Sequence, residues 1–146
     1  MITFNRSQLV EAEFPDEEII RMKGIQEDHI YGMEIGMDVR VSDGRILAIE
    51  GSMKRYTNPV CPRAVPVLQR AVGISLREEG WDSRVMREIG RQGCEHFAEI
   101  IIECGRCFDQ ARLSRELLEA LQSDPSLDQA EFVETWAKEH PEIVSA

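Results

Sequence analysis

The sequence predicts an α+β fold: an antiparallel meander of three to four strands, followed by about four helices packed on one face of the sheet. Two observations predict this class. Apolar and polar residues alternate with period two in the first third of the 146-residue chain, and helical spacing dominates the rest. Because the strands come first and the helices after, the two layers are expected to be segregated rather than built from βαβ units.

The clearest predicted strand lies between Tyr31 and Val41. Its odd-numbered positions are apolar and its even-numbered positions are small or charged, which indicates one buried and one solvent-facing side. Gly44, in the sequence SDGR, predicts a hairpin turn because glycine accepts a positive φ. Two shorter upstream strands are expected at SQLVEAEF and EIIRMKGIQ. The alternation resumes after the turn on a fourth strand, at Leu47, Ile49, Gly51 and Met53.

Proline and glycine divide the remaining chain into helices. One is expected over residues 62–72, with a proline in its first turn and Gly73 at its end. The sequence WDSRVMREIG predicts a short helix capped by Asp82 or Ser83. Apolar spacing over residues 94–122 predicts one long amphipathic helix, and SLDQAEFVETWAKEH predicts a last one.

The length suits one domain. We expect a single α+β domain over residues 1–123. Residues 124–146 are expected to form a helical extension that packs on this domain or on a partner.

The charge balance restricts the partners. The formal net charge is −10, from 27 acidic and 17 basic residues. Such a chain repels phosphate backbones and anionic lipid, so neither a nucleic-acid nor a membrane partner is expected. The N-terminal sequence has no basic start followed by an apolar block, which predicts a cytoplasmic protein. In that reducing compartment the four cysteines are expected to be thiols or ligands rather than disulfides.

The stretch GCEHFAEIIIECGRC contains the candidate site. Cys94 and His96 stand at the predicted start of the long helix, and Cys61 directly precedes the proline that opens an earlier helix. A helix start favours a thiolate, and two thiolates with one imidazole make three ligands of a tetrahedral site for a zinc ion or an iron–sulfur species. The fourth ligand would be water or one of three carboxylates: Glu95, Glu99 or Asp38. The alternative is that Cys61 and Cys94 are buried helix caps that never meet.

The other thiols and histidines are expected to have structural roles. Cys104 and Cys107 have the C-x-x-C spacing of redox sites, but they lie inside a predicted helix with no βαβ unit around it. We therefore expect Cys104 to pack in the core and Cys107 to lie at the edge of the apolar stripe. His29 and His140 are expected to be solvated.

Three functional hypotheses remain open. The first is a binding or carrier module that uses Cys61, Cys94 and His96. The second is an interaction or structural protein without a site, in which the C-terminal helix contacts a partner or forms a homo-oligomer. The third is a thiol-dependent enzyme with Cys61 or Cys94 as nucleophile and His96 as base.

A resemblance to a known family is carried by the run GRILAIEGSMKRYTNPVCPRAVPVLQRAVGISL, followed by GW and then GCEHFAEII. This pattern resembles the bacterial family of unknown function called DUF2889, over about residues 17–122. The resemblance implies that Cys61, Cys94 and His96 belong to one signature. It implies no established activity, substrate or cofactor.

The order of strands, cysteines and histidine is also similar to that of NifU-like iron–sulfur scaffolds. In that family three cysteines and a carboxylate hold a cluster or zinc. This chain offers two cysteines and a histidine in comparable places, so the likeness is an analogy of fold alone.

Overall fold

The computed structural model describes residues 1–144 and contains one four-stranded sheet. All neighbouring strands are antiparallel and follow one another in chain order, which confirms the predicted meander and the α+β class. The strands are β1 Arg6–Glu13, β2 Ile19–Asp28, β3 Gly32–Arg40 and β4 Ile46–Arg55.

Helical segments follow the sheet, and the chain forms two compact units. The first unit is Met1–Gly105 and the second begins at Arg106. The predicted domain division at residue 123 stays a prediction. Two 3-10 helices come first, Cys61–Ala64 and Pro66–Ala71. The longer helical segments are α1 Trp81–Val85, continued by the π-helical turn Met86–Gly90, then α2 Glu95–Arg106, α3 Phe108–Ser123, α4 Gln129–Glu139 and α5 Pro141–Val144.

One face of the sheet forms the core of the first unit, as the period-two pattern predicts. The other face carries charged pairs, such as Arg21 with Asp38 at 2.8 Å. At Gly24 the backbone of β2 approaches α2 so closely that an added Cβ would overlap the Ile100 side chain and lie 2.7 Å from Cys104 Sγ. The largest fully buried side chains on the inner face are Ile20, Met22, Met33, Ile35, Met37 and Ile46.

A β-bulge in β4 corrects one predicted position. Asp38 pairs with Ala48 and Val39 pairs with Ile46, so Leu47 is the extra residue between them. The bulge reverses the alternation locally. Ile46 is therefore fully buried, whereas Leu47, which the pattern placed on the buried side, is 37% exposed.

The helix expected over residues 62–72 is instead a pair of 3-10 helices. Pro66 has no N–H to donate to the carbonyl four residues earlier, and its ring would clash with that carbonyl. The backbone instead forms hydrogen bonds of the 3-10 type, in which each N–H donates to the carbonyl three residues earlier. Val65 N donates to Pro62 O at 3.1 Å, and Leu68 N donates to Val65 O at 3.2 Å. Gly73 ends the segment as predicted, with φ of +92°.

Two further helix predictions were wrong in detail. The residue before α1 is Gly80, in the left-handed conformation and without a side-chain cap, so neither Asp82 nor Ser83 caps this helix. The single long helix predicted over residues 94–122 is instead two helices, α2 and α3, separated at Cys107. The ψ of Cys107 is −5°, which departs from the α-helical value.

The second unit is held by Trp136 of α4. Its indole N–H donates to the Glu116 carboxylate of α3 at 2.8 Å. His140, predicted to be solvated, is half-buried instead, because its ring stacks on Trp136 with 4.2 Å between centroids. Asp128 caps α4 by accepting from the N–H groups of Ala130 and Glu131.

No helix within residues 1–144 combines the length and the apolar character needed to cross a bilayer.

Candidate functional site

The cysteine and histidine ligands predicted from the sequence lie at the ends of elements in the first unit. Cys61 is the first residue of a 3-10 helix, Cys94 directly precedes α2, and His96 is the second residue of α2. The Sγ of Cys94 lies 4.0 Å from Nδ1 of His96. Side chains two residues apart on a regular helix diverge by about 200°, so this contact depends on Cys94 standing just before the helix.

Cys94 is the N-cap residue of α2. Its carbonyl accepts the first helical bond, from Ala98 N at 3.2 Å, and its sulfur interacts with the backbone N–H groups of Phe97 and His96. Burial raises the pKa of the Cys94 thiol above its ordinary value, while those two N–H groups act in the opposite sense. The net result is a neutral, half-buried thiol at neutral pH.

Cys61 is close enough to Cys94 for their charges to interact. A charge on Cys61 is one of the causes that raise the pKa of Cys94, and the Glu99 carboxylate is another. Asn58 fixes the approach to Cys61, because its carbonyl accepts from Cys61 N and its side-chain oxygen accepts from Val60 N, both at 2.9 Å. Both cysteines are half-buried free thiols.

The His96 ring is covered by Tyr31, which directly precedes β3. The two ring centroids are 4.4 Å apart and the planes are tilted by 41°. Tyr31 Oη in turn lies 3.3 Å from Oγ1 of Thr57, just beyond β4. The imidazole therefore packs against a residue that the alternating pattern assigned only to the buried side of a strand.

The turn that presents Tyr31 is organised by Asp28. Its carboxylate accepts from Ile30 N at 2.7 Å and from Tyr31 N at 2.6 Å, and it is paired with Arg6 at 2.8 Å. The bond from Tyr31 N is the largest cause that lowers the pKa of Asp28, to about 2. Arg55 supports the same turn by donating to the carbonyls of Asp28 and Tyr31.

The carboxylates predicted as a fourth ligand have different positions. Asp38 lies on the outer face of the sheet and pairs with Arg21, so it is not near Cys94. Glu95 and Glu99 are exposed on α2, and only Glu99 is among the charges that affect Cys94. Across the described residues, no three or more His, Cys, Asp or Glu side chains are arranged to hold a metal ion.

Cys104 packs in the core, as predicted. It is fully buried and lies against Gly24 of β2. Cys107 is half-buried at the interruption between α2 and α3.

Residues 5–110 match the family described as protein of unknown function, DUF2889. The chain belongs to the DUF2889 family. The matched residues include both thiols and the imidazole of the candidate site and end just inside α3. No curated protein and no solved structure matches the chain. The family assignment therefore leaves the function to be argued from the site itself.

A groove on the sheet is lined by residues other than the thiols. It has a volume of about 650 Å³ and lies on the outer face of the sheet, where charges of both signs line it, among them Glu11, Lys23 and Glu50. None of the residues recorded along this groove is a cysteine or a histidine. The groove therefore offers charged side chains, whereas the thiol site offers sulfur and imidazole donors.

Proposed function

We propose that this DUF2889 protein is a binding module in which Cys94, His96 and Cys61 take up a thiophilic metal ion, with zinc as the best match to the donors. The observation that carries the proposal is the 4.0 Å separation of Cys94 Sγ and His96 Nδ1. A tetrahedral zinc with bonds of about 2.3 Å to sulfur and about 2.0 Å to nitrogen spans a distance of about 3.5 Å between these atoms. Small side-chain rotations close the difference.

Cys61 is the proposed third ligand. A charge on Cys61 is one cause of the raised pKa of Cys94, so the two thiols lie within electrostatic range of each other. Since no three-donor group is assembled in the described part of the chain, uptake must draw Cys61 toward the ion. Cys61 begins a four-residue 3-10 helix, and such short helices adjust more readily than the body of α2. Glu99 or water would complete the coordination.

The surroundings of Cys94 and His96 suit ligands. The N–H groups of His96 and Phe97 would stabilise the metal-bound thiolate, as hydrogen bonds to a ligating sulfur do. Tyr31 restricts the imidazole orientation. The net charge of −10 attracts cations.

The enzyme hypothesis has weaker support. A cysteine nucleophile is activated by a lowered pKa, whereas burial raises the pKa of Cys94. A raised pKa does not prevent metal binding, because the metal ion displaces the thiol proton when it binds.

Metal analysis and cobalt titration test the proposal. Protein purified without chelator should contain about one equivalent of zinc, and added Co²⁺ should give a thiolate-to-cobalt charge-transfer absorption. Cys94→Ser retains a capping oxygen but loses one of the two thiolates, so it should lose about half of the charge-transfer absorption without unfolding. Cys61→Ser should weaken the binding as well.

Cys107→Ser is the matched control, since Cys107 is also a half-buried thiol but is not among the proposed ligands, and its loss should not affect the metal content. A wild-type protein with no bound transition metal, and no charge-transfer band with Co²⁺, would overturn the proposal. Equal absorption in wild type and Cys94→Ser would overturn it too.

A further inference from the structure

Charge is distributed unevenly along the chain. The formal net charge is −10, yet residues 51–77 contain no aspartate and no glutamate. This stretch includes the end of β4 and both 3-10 helices. Its charged residues are all basic, namely Lys54, Arg55, Arg63, Arg70 and Arg77. The first unit of an acidic protein therefore contains a basic segment.

Two of these basic side chains are open to a partner. Lys54 and Arg55 already pair with glutamates of β3 and β2. Arg63 and Arg70 are exposed, and neither forms an ion pair with another described residue. Their guanidinium groups can therefore bind carboxylates without first breaking a contact in their own chain.

Both arginines lie on the exposed side of the 3-10 segment, between two exposed valines. The side that packs on the sheet consists of Ala64, Leu68 and Ala71, which are buried. Val60 directly precedes the segment and is 54% exposed, and Val72 follows it and is 43% exposed. We call Val60, Arg63, Arg70 and Val72 the basic surface.

Helix α4 of the second unit presents the opposite charge. Glu131 and Glu134 are exposed neighbours on the helix, and neither forms an ion pair with another described residue. Val133 lies beside them and is 37% exposed. We call Glu131, Val133 and Glu134 the acidic surface. It lies outside residues 5–110, which match the family.

We propose that the acidic surface docks on the basic surface of a second copy of this chain, and that the contact is reciprocal, so that two copies close into a dimer. Each surface combines unpaired charges with exposed valine. Docking pairs opposite charges and removes apolar side chains from water. Neither surface is satisfied within its own chain, and the chain itself supplies the matching surface.

The net charge of −10 does not prevent this contact. At physiological ionic strength, charges separated by more than about 8 Å are largely screened, so the nearby opposite charges dominate over the repulsion between whole molecules. Twofold symmetry also gives each dimer two copies of the contact. The inference is independent of the proposed metal site, since neither surface contains a proposed ligand.

Charge reversal on each surface tests the inference. Sedimentation equilibrium of the wild-type chain should give twice the mass of one chain. The basic-surface variant, Arg63→Glu with Arg70→Glu, and the acidic-surface variant, Glu131→Arg with Glu134→Arg, should each raise the dissociation constant of the dimer by about tenfold or more, because attraction becomes repulsion. Circular dichroism should stay unchanged, since all four side chains are exposed.

Mixing the two variants identifies the pairing. In a dimer of one basic-surface variant and one acidic-surface variant, both contacts again join opposite charges, so an equimolar mixture should recover the wild-type dissociation constant. Lys23→Glu is the control, because it makes the same charge change as Arg70→Glu on the outer face of the sheet, and it should leave the dimer intact.

Three results would overturn the proposal. The first is a wild-type mass of one chain, or of more than two. The second is a dimer that either reversal variant leaves unaffected or that Lys23→Glu dissociates equally. The third is a mixture of the two variants that stays monomeric, which would show that the two surfaces do not face each other.

Discussion

In our proposal Cys94 has two roles, helix capping and metal binding, and substitutions at this position can separate them. It caps α2 through its sulfur, and the same sulfur faces His96 Nδ1 at 4.0 Å. Capping requires only an acceptor of the right reach, which a serine hydroxyl supplies. Metal binding requires the thiolate.

In metal-free protein we therefore expect Cys94→Ser to unfold with nearly the wild-type free energy. Cys94→Ala, which leaves the first N–H groups of α2 without an acceptor, should lose about 1 kcal/mol. Urea unfolding measures both. Equal destabilisation by serine and alanine would show that capping is not what the sulfur contributes.

Asp28 determines the geometry of the turn that carries Tyr31. In the folded protein its pKa is about 2, below the ordinary value of 3.8. A lowered folded-state pKa contributes stability above the unfolded pKa, and that contribution is lost as the pH falls through the folded value.

We expect the unfolding free energy of the wild type to fall between about pH 4 and pH 2, with part of this slope missing in Asp28→Asn. Chemical unfolding at several pH values measures the slope. A variant slope identical to that of the wild type would contradict the role of Asp28. The contact of Tyr31 with His96 should also loosen, which proton chemical shifts of the imidazole report.

At the scale of elements, the close packing of α2 on β2 requires glycine at position 24. An alanine there would overlap Ile100 and Cys104 in the core. Gly36 is a matched control on β3, since its added Cβ meets only the Glu50 side chain, at 3.5 Å and on the outer face.

Gly24→Ala should destabilise the protein by about 2 kcal/mol. Gly36→Ala should be neutral or slightly stabilising, because alanine has less conformational entropy to lose than glycine. Thermal or urea unfolding compares the two. Similar free energies for both variants would contradict the packing described for α2.

The elements also show why some features followed from the sequence and others did not. Period-two alternation located the meander because β2, β3 and β4 each have one buried side. It missed the bulge at Leu47, since one inserted residue leaves the composition of a strand unchanged. The interruption at Cys107 is a single ψ value within a continuous apolar spacing. Helix periodicity carries no signal for such a break.

In the candidate site, too, some features could be predicted from the sequence and others could not. The proximity of Cys94 and His96 could be anticipated from their place at a helix start. Tyr31 could not, because its contact with His96 depends on the Asp28 turn and on how α2 crosses the sheet. Asp38 was a plausible ligand by residue type, but the parity of β3 places it on the outer face.

At the scale of the whole molecule, metal uptake should be linked to protons. The Cys94 thiol is neutral at neutral pH, so a thiolate ligand releases its proton when it binds the ion. Zinc affinity should therefore rise with pH through neutrality and up to the pKa of the ligating thiols, and calorimetry in buffers of different ionisation enthalpy should count about two released protons. An affinity independent of pH would contradict thiolate ligation.

The most direct test of the central claim is X-ray absorption at the zinc edge of the loaded protein. The account predicts a first shell with two sulfur atoms at about 2.3 Å and imidazole nitrogen at about 2.0 Å, and the loss of one sulfur in Cys94→Ser. A shell of oxygen and nitrogen alone, unchanged in that variant, would contradict it.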